Sequence, residues 1–296
     1  MARGRRRFSP LQLLLSVFLF AVTLTMIVPL LHILARSLSD PGQSGGMNGL
    51  EIFPRGLTLV NYRTLFGNRH VVPAMLNSVF ITAVGTALNI LLTLTAAYVL
   101  TRPDLAGKGV LMVFLIVMML FDPGIVPEYM VIRKLGLMGS RWSVILAQAA
   151  NVYYLIIMMR YLEAVPVSLY EAARIDGAGH MRTLFSVAAP LAKASIATLT
   201  LFYAVLRWNE YYRAGIYISS VAKVPLQVIL RRFVVEGDVT TLVGTQNLME
   251  YNEAAQLDYK AVSYAAILVA VAPILCAYPF VLRFCTKNVL AGAVKE

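Results

Sequence analysis

Cysteine, histidine and charge are all scarce in this sequence. The 2 cysteines among 296 residues, Cys276 and Cys285, fall on one predicted helix, neither on the same turn nor in disulfide geometry. They report nothing about redox compartment. The 3 histidines, His32, His70 and His180, are scattered without metal-ligand spacing. No phosphate-binding loop is present: the nearest stretch, DLAGKGV at 104–110, lacks the early glycine before Gly107-Lys108, and no strand precedes it. It reads as a short turn between apolar runs. A nucleophile-elbow pattern is missing too. Charged residues are 14% of the chain, against about 25% in soluble globular proteins. An ordinary soluble fold and a self-contained nucleotide-hydrolysing enzyme are both excluded.

What fills the chain instead is apolar: 59% of residues are hydrophobic and mean hydropathy is +0.71. The apolar residues cluster into runs near the roughly 20 residues that a helix needs to cross a bilayer. Six spans are expected near 11–34, 74–100, 109–132, 142–162, 194–213 and 260–282, giving one all-α transmembrane domain over 1–296. The opening MARGRRRF resembles a signal sequence. Its apolar core is too long and no small-residue cleavage site follows, so it reads as a retained anchor. Arg3, Arg5, Arg6 and Arg7 hold the N-terminus in the cytoplasm, and an even number of spans returns the C-terminus there. Basic residues divide evenly between the two sides while acids fall mostly outside, leaving the cytoplasmic side more positive. The net charge of +11 is therefore topogenic, with lipid as partner and no nucleic acid. Long external segments lie at 35–73 and 214–259, and LTLVNYRTLF at 57–66 has the spacing of an interfacial helix.

Residues 163–193, between the fourth and fifth spans, break the apolar pattern. Pro166 suits a first helical turn and VSLYEAARID is rich in helix formers. Gly177 breaks this helix, because glycine turns through positive φ cheaply. HMRTLFSVAA makes a second short helix before Pro190. A cytoplasmic helix-turn-helix results, and the small Ala172 and Ala173 let another surface come close.

This loop resembles the signature of permease subunits of bacterial ATP-binding-cassette importers: Glu-Ala-Ala, three residues, Gly, nine residues, Ile, one residue, Leu-Pro. Here it stands as Glu171-Ala172-Ala173, Gly177, Val187 and Ala189-Pro190, with valine for isoleucine and alanine for leucine. RKLGLMGSRWSVIL (133–146), RYLEAVPVSLYEAARIDGA (160–178), RWNEYY (207–212) and GAVKE (292–296) resemble the carbohydrate branch, relatives of the maltose permease pair. The subgroup it most resembles includes lipo-oligosaccharide and oligo-alginate permeases. The resemblance implies a type I ABC importer fold and a coupling loop that inserts into a cleft on a separate ATPase. In that setting Glu171 pairs with a basic ATPase residue, Asp176 and Gly177 shape the turn, and Ala172 and Ala173 face the cleft. It further implies two ATPase subunits holding ATP and magnesium, a second permease (paralogue or copy), and a solute-binding protein that delivers a saccharide. This chain would carry no cofactor and catalyse no bond change. The tail VLAGAVKE either reaches toward the ATPases or frays.

Polar residues within the spans are costly and face a cavity or a partner. Asp122-Pro123-Gly124 interrupts the third span, as a bend beside the pathway or as a break at the external surface. Gln148 and Asn151 share one helix face; Gln148 suits packing, and Asn151 and Tyr154 suit the pathway. Asn77 and Asn89 read as glue between helices. Arg207, Trp208, Asn209 and Glu210 have the chemistry of a sugar site, though the aromatics here also suit an interfacial belt. Arg207, Arg213, Arg231 and Arg232, with Arg133 and Lys134, either attract an acidic oligosaccharide or dock an acidic binding protein. An ion- or proton-coupled carrier would have only Asp122 and Glu128 for its relay, and a membrane scaffold leaves the loop unexplained.

Overall fold

A computed structural model describes residues 10–237 and 259–293, with side chains in the last helix as far as Pro279. The arginine-rich N-terminus, residues 238–258 of the second external segment and the last three residues of the tail lie outside that range. Among the described residues the structure is helical, with one isolated bridge between Ser39 and Leu57. Three helices are long and apolar enough to cross a bilayer: α1 (Pro10–Ser37), α4 (Val71–Leu100) and the Tyr259–Pro279 stretch of the final helix (Tyr259–Ala293). Three bent pairs raise the number to as many as 6 if each pair is one span.

Contacts divide the chain into two compact units. In the first, residues up to Arg69 combine with those from Arg232 to Val271. The short α2 (Pro41–Ser44) follows α1, and Asn61 donates to the carbonyls of Ser37 and Ser39, both at 2.9 Å, which ties α3 (Val60–Gly67) to the end of α1. The helix foreseen within 57–66 is thus present. Near the same end of α1, His32 meets the Glu51 carbonyl at 2.8 Å and the Arg36 guanidinium lies over the Tyr264 ring. Most of the apolar side chains earlier in α1 are exposed, as expected of a helix that faces lipid or another chain.

The second unit, His70–Arg231 with Ala272 onward, holds the bent pairs. α5 (Lys108–Leu120) stops where Pro123 follows, and Gly124 at φ 78° re-aims the chain into α6 (Ile125–Lys134) at 115°. α7 (Arg141–Ala147) and α8 (Val152–Glu163) meet at 53°, so the expected continuous fourth span is two helices. Gln148 caps one and Asn151 caps the other, its side chain accepting from the Tyr154 N–H at 3.0 Å, so they do not share a helix face. Neither proline nor glycine lies at this break. Donors from other helices hold it open.

Asn89 on α4 donates to the carbonyls of Gln148 and Ala149 at 2.6 and 2.8 Å. α12 (Lys193–Trp208) delivers Arg207, 1% exposed, whose guanidinium donates to the carbonyls of Val144, Ile145 and Gln148 at 2.8 Å each. A fourth bond, from Nε to the Asn89 amide oxygen at 2.9 Å, closes the node. Gly85 makes room for it, since a Cβ there would lie 2.9 Å from Arg207 Nε. Asn77 does similar work, donating to Ala222 and Val224 carbonyls at 2.9 and 3.1 Å. Both asparagines therefore join separate segments, as their placement suggested. The fifth span ends at Trp208 rather than near 213, and the chain turns into α13 (Tyr212–Tyr217).

Replacing Arg207 with methionine would orphan the Val144 and Ile145 carbonyls and the Asn89 amide oxygen, at about 1 kcal/mol or more each. Arg207→Met should therefore lower the stability of the detergent-purified subunit by about 3 kcal/mol, read as a fall in thermal midpoint. An unchanged midpoint would remove the node from the account of the fold.

Candidate functional site

The loop after α8 is built around a glycine turn. Pro166, at φ −55° and ψ 131°, leads into α9 (Val167–Ile175). Asp176 caps the end of α9, and Gly177 takes φ 74°. The Ala178 N–H bonds the Ala173 carbonyl at 2.9 Å and the Gly177 N–H bonds the Arg174 carbonyl at 3.1 Å. This is a Schellman closure, which satisfies carbonyls at the helix end and requires a residue comfortable at positive φ. α10 (His180–Thr183) follows and widens into a π-helical turn at Leu184–Ala188, then α11 (Ala189–Leu191). The second helical segment was expected to stop before Pro190 but runs through it. The wider turn bonds the Ala189 N–H back to the Leu184 carbonyl, and Pro190 sits at the start of α11, where its missing donor is tolerated.

Two faces of this loop differ sharply. Ala173 (8% exposed), Leu184 and Ala188 are buried, and Leu184 and Ala188 continue a core with Leu94, Tyr98, Met158 and Leu162. Glu171 and Ala172 are exposed, and so are the apolar Leu169, Ile175 and Met181. Adjacent helical residues point about 100° apart, so Ala172 and Ala173 do not share a face. The expectation that both meet a partner's cleft is corrected: Ala173 is an inward packing residue. Leu169, Ile175 and Met181 are thus exposed apolar side chains on the same loop as an exposed carboxylate.

A cavity of about 590 Å³ lies between α9 and the end of α4, lined by residues that include Arg102, Glu163, Tyr170, Glu171 and Arg174. Burial raises the Tyr170 phenol above its ordinary pKa, with the nearby Arg102 guanidinium opposing the shift. The phenol O–H donates to the Leu162 carbonyl at 3.4 Å.

The polar residues expected along a substrate pathway are spread over several environments. Arg207 and Trp208 are buried, and Asn209 is exposed with its amide bonded to the Val205 carbonyl at 2.9 Å. Trp208 therefore presents no open stacking platform in this chain. Tyr154 is half-buried, its ring edge-on to Tyr203 with centroids 4.8 Å apart. Glu210 is buried, accepts from Gln148 and lies 3.6 Å from Arg213. Arg213 in turn forks onto Glu128 at 2.8 and 3.1 Å, and the Tyr217 hydroxyl donates to the same carboxylate at 2.7 Å. Arg207 and Arg213, counted from sequence as external positive charge, are thus internally bonded. Arg102, Tyr98 and Tyr170 carry no signal in the sequence that brings them together, and Glu128 carries none that makes it a clamp between α6 and α13.

A helical membrane domain with interrupted spans and a capped helix-turn-helix is the fold of a type I ABC importer permease. The comparisons agree. A chain of a bacterial ABC transporter involved in the import of the acidic polysaccharide alginate superposes with TM-score 0.86, at 27% identity, covering 96% of this chain and 98% of that one. A second chain, from a bacterial alginate ABC transporter in complex with alginate pentasaccharide-bound periplasmic protein, has TM-score 0.50 at 15% identity and shares the fold alone.

Residues 109–289 match the family described as binding-protein-dependent transport system inner membrane component, and this chain belongs to that family. Among its relatives in Bacillus subtilis (strain 168) is the polygalacturonan/rhamnogalacturonan transport system permease protein YtcP, 35% identical over 284 residues, covering 96% of this chain and 97% of YtcP. Another is protein LplC, 36% identical over 281 residues, covering 94% and 92%. The chain is an integral membrane permease of the sugar ABC importer class, a transport subunit and not an enzyme.

A Cβ at Gly177 would meet nothing within 4 Å, so substitution there is opposed by backbone conformation alone. Gly177→Val should cost about 1–2 kcal/mol locally and speed limited proteolysis between α9 and α10. Gly177→Asn, which tolerates this conformation better, should stay near wild type. Equal cleavage of all three would show that the turn needs no left-handed residue.

Proposed function

We propose that this chain is one of two permease subunits of an importer for an acidic oligosaccharide, coupled to separate ATPases through the α9–α10 loop. The observation that carries the coupling is the two-faced loop. Leu184 and Ala188 fasten it to the membrane helices and Ala173 is buried, while Glu171, Ala172, Ile175 and Met181 remain exposed around a glycine turn. A partner gripping the exposed face would move the buried one. In this reading ATP and magnesium bind the ATPase pair, Glu171 meets a basic ATPase residue, and Asp176, Gly177 and Pro190 hold the elbow. The loop and both termini lie in the cytoplasm of a bacterium, and 1–296 forms a single permease domain.

The acidic cargo is supported by the names of similar proteins: YtcP for polygalacturonan and rhamnogalacturonan, the superposed transporter for alginate. A periplasmic protein loaded with an alginate pentasaccharide accompanies the fold neighbour, and a solute-binding protein would deliver the sugar here too. Asn151, Tyr154 and Asn209 are the polar side chains with partial or full exposure that would meet it. Arg207 and Glu210 would position the helix breaks behind them, and Trp208 would close the wall. A second permease, paralogue or copy, completes the pathway.

The ATPase should co-purify with the wild-type permease and be lost with Glu171→Lys or Gly177→Pro. Reconstituted wild-type complex should take up labelled uronate oligomers at least tenfold faster than neutral ones of equal length. Retention of the ATPase by both variants would reject the coupling, and equal uptake would reject the acidic cargo.

A further inference from the structure

We infer that Arg102, clasped between the rings of Tyr98 and Tyr170, is a positioning residue that carries movement of the α9–α10 loop into α4. Its guanidinium carbon lies 4.0 Å from the Tyr98 ring centroid and 4.2 Å from that of Tyr170. Tyr98 is in the last turn of α4 and 4% exposed, while Tyr170 is on α9, next to the exposed Glu171. The first ring thus comes from the membrane helix, the cation from the turn just past its Thr101 cap, and the second ring from the loop.

Arg102 Nε and Nη2 are buried without a hydrogen-bond partner. Such donors are ordinarily costly, but here the two aromatic faces cover the guanidinium and attract its charge. The two rings are inclined at 64° to each other, and an arginine suits the corner between them because its broad, weakly hydrated cation reaches over both, which a compact lysine ammonium does less well. A cavity of about 590 Å³ opens at this point, lined by Tyr98, Arg102 and Tyr170 among others. Tyr170 also packs on the apolar core, its ring edge-on to Tyr98 with centroids 6.5 Å apart, and the charge held over both rings adds resistance to their separation. His180 of α10, edge-on to Tyr98 with centroids 6.4 Å apart, brings the second loop helix to the same ring.

The inference rests on the docking role proposed for the loop, yet the two fail differently. Docking fails if Glu171→Lys keeps its ATPase. The stack is tested in assembled complexes by measuring sugar taken up per ATP hydrolysed, in vesicles, with binding protein and uronate oligomer. Arg102→Gln and Tyr170→Leu should retain the ATPase and continue to hydrolyse ATP, while uptake per ATP falls at least tenfold. Tyr170→Phe, which keeps the ring face, should match wild type, and Arg102→Lys should fall between. Wild-type uptake per ATP in Arg102→Gln would overturn the inference. So would loss of the ATPase from Arg102→Gln and Tyr170→Leu, which would make the stack a part of docking or folding.

Discussion

A backbone carbonyl inside a bilayer has no water to turn to, so every break in a spanning helix must be answered from within the protein. The fourth span breaks between α7 and α8, and Arg207 with Asn89 supplies the donors. A buried guanidinium is expensive to desolvate. It persists here because its bonds end on carbonyls that would otherwise be orphaned and on an amide oxygen. α4, α7, α8 and α12 converge at this node, and the loop between α8 and α12 inherits its position from it.

The loop is rigid where it needs to be and open where it can be used. The Schellman closure at Gly177 fixes the angle between its two helical segments, and the π-helical turn lets the second run through Pro190 toward α12. Ala173 is buried and Leu184 fills the chain's own core, while Glu171, Ile175 and Met181 stay exposed. In the proposed coupling, contacts with α4 would carry force on these exposed residues to the membrane helices. On the other side of the break, Glu128, Arg213 and Tyr217 clamp α6 to α13, so charges that looked available for cargo act as fasteners.

Features carried by one local residue were legible in the sequence. Pro123-Gly124 announced the break after α5, and Gly177 announced the loop turn, because neither depends on distant neighbours. The Glu-Ala-Ala pattern pointed to the family now supported by residues 109–289. The break at Gln148–Asn151 was hidden, since the donors that permit it come from Asn89 and Arg207, far away in the chain. The orientation of Ala173 was hidden too: on a nine-residue helix with small or apolar residues around it, periodicity does not choose the buried side. Arg102 drew no reading from the sequence because its two aromatic partners meet it only after folding. Arg207 misled for the same reason, as a charge count registers sign and not burial.

The most direct test of the central claim, that the outward face of this loop is gripped by an ATPase on the cytoplasmic side, is site-specific cross-linking. Single cysteines would be placed at Ala172 or Ala173 in a chain lacking Cys276 and Cys285, within the intact complex in inverted vesicles. Cysteine at 172 should cross-link to the ATPase and take an impermeant thiol reagent from the cytoplasmic side, while cysteine at 173 should do neither. Labelling of position 172 from the opposite side only, or a cross-link from 173 and none from 172, would contradict the account.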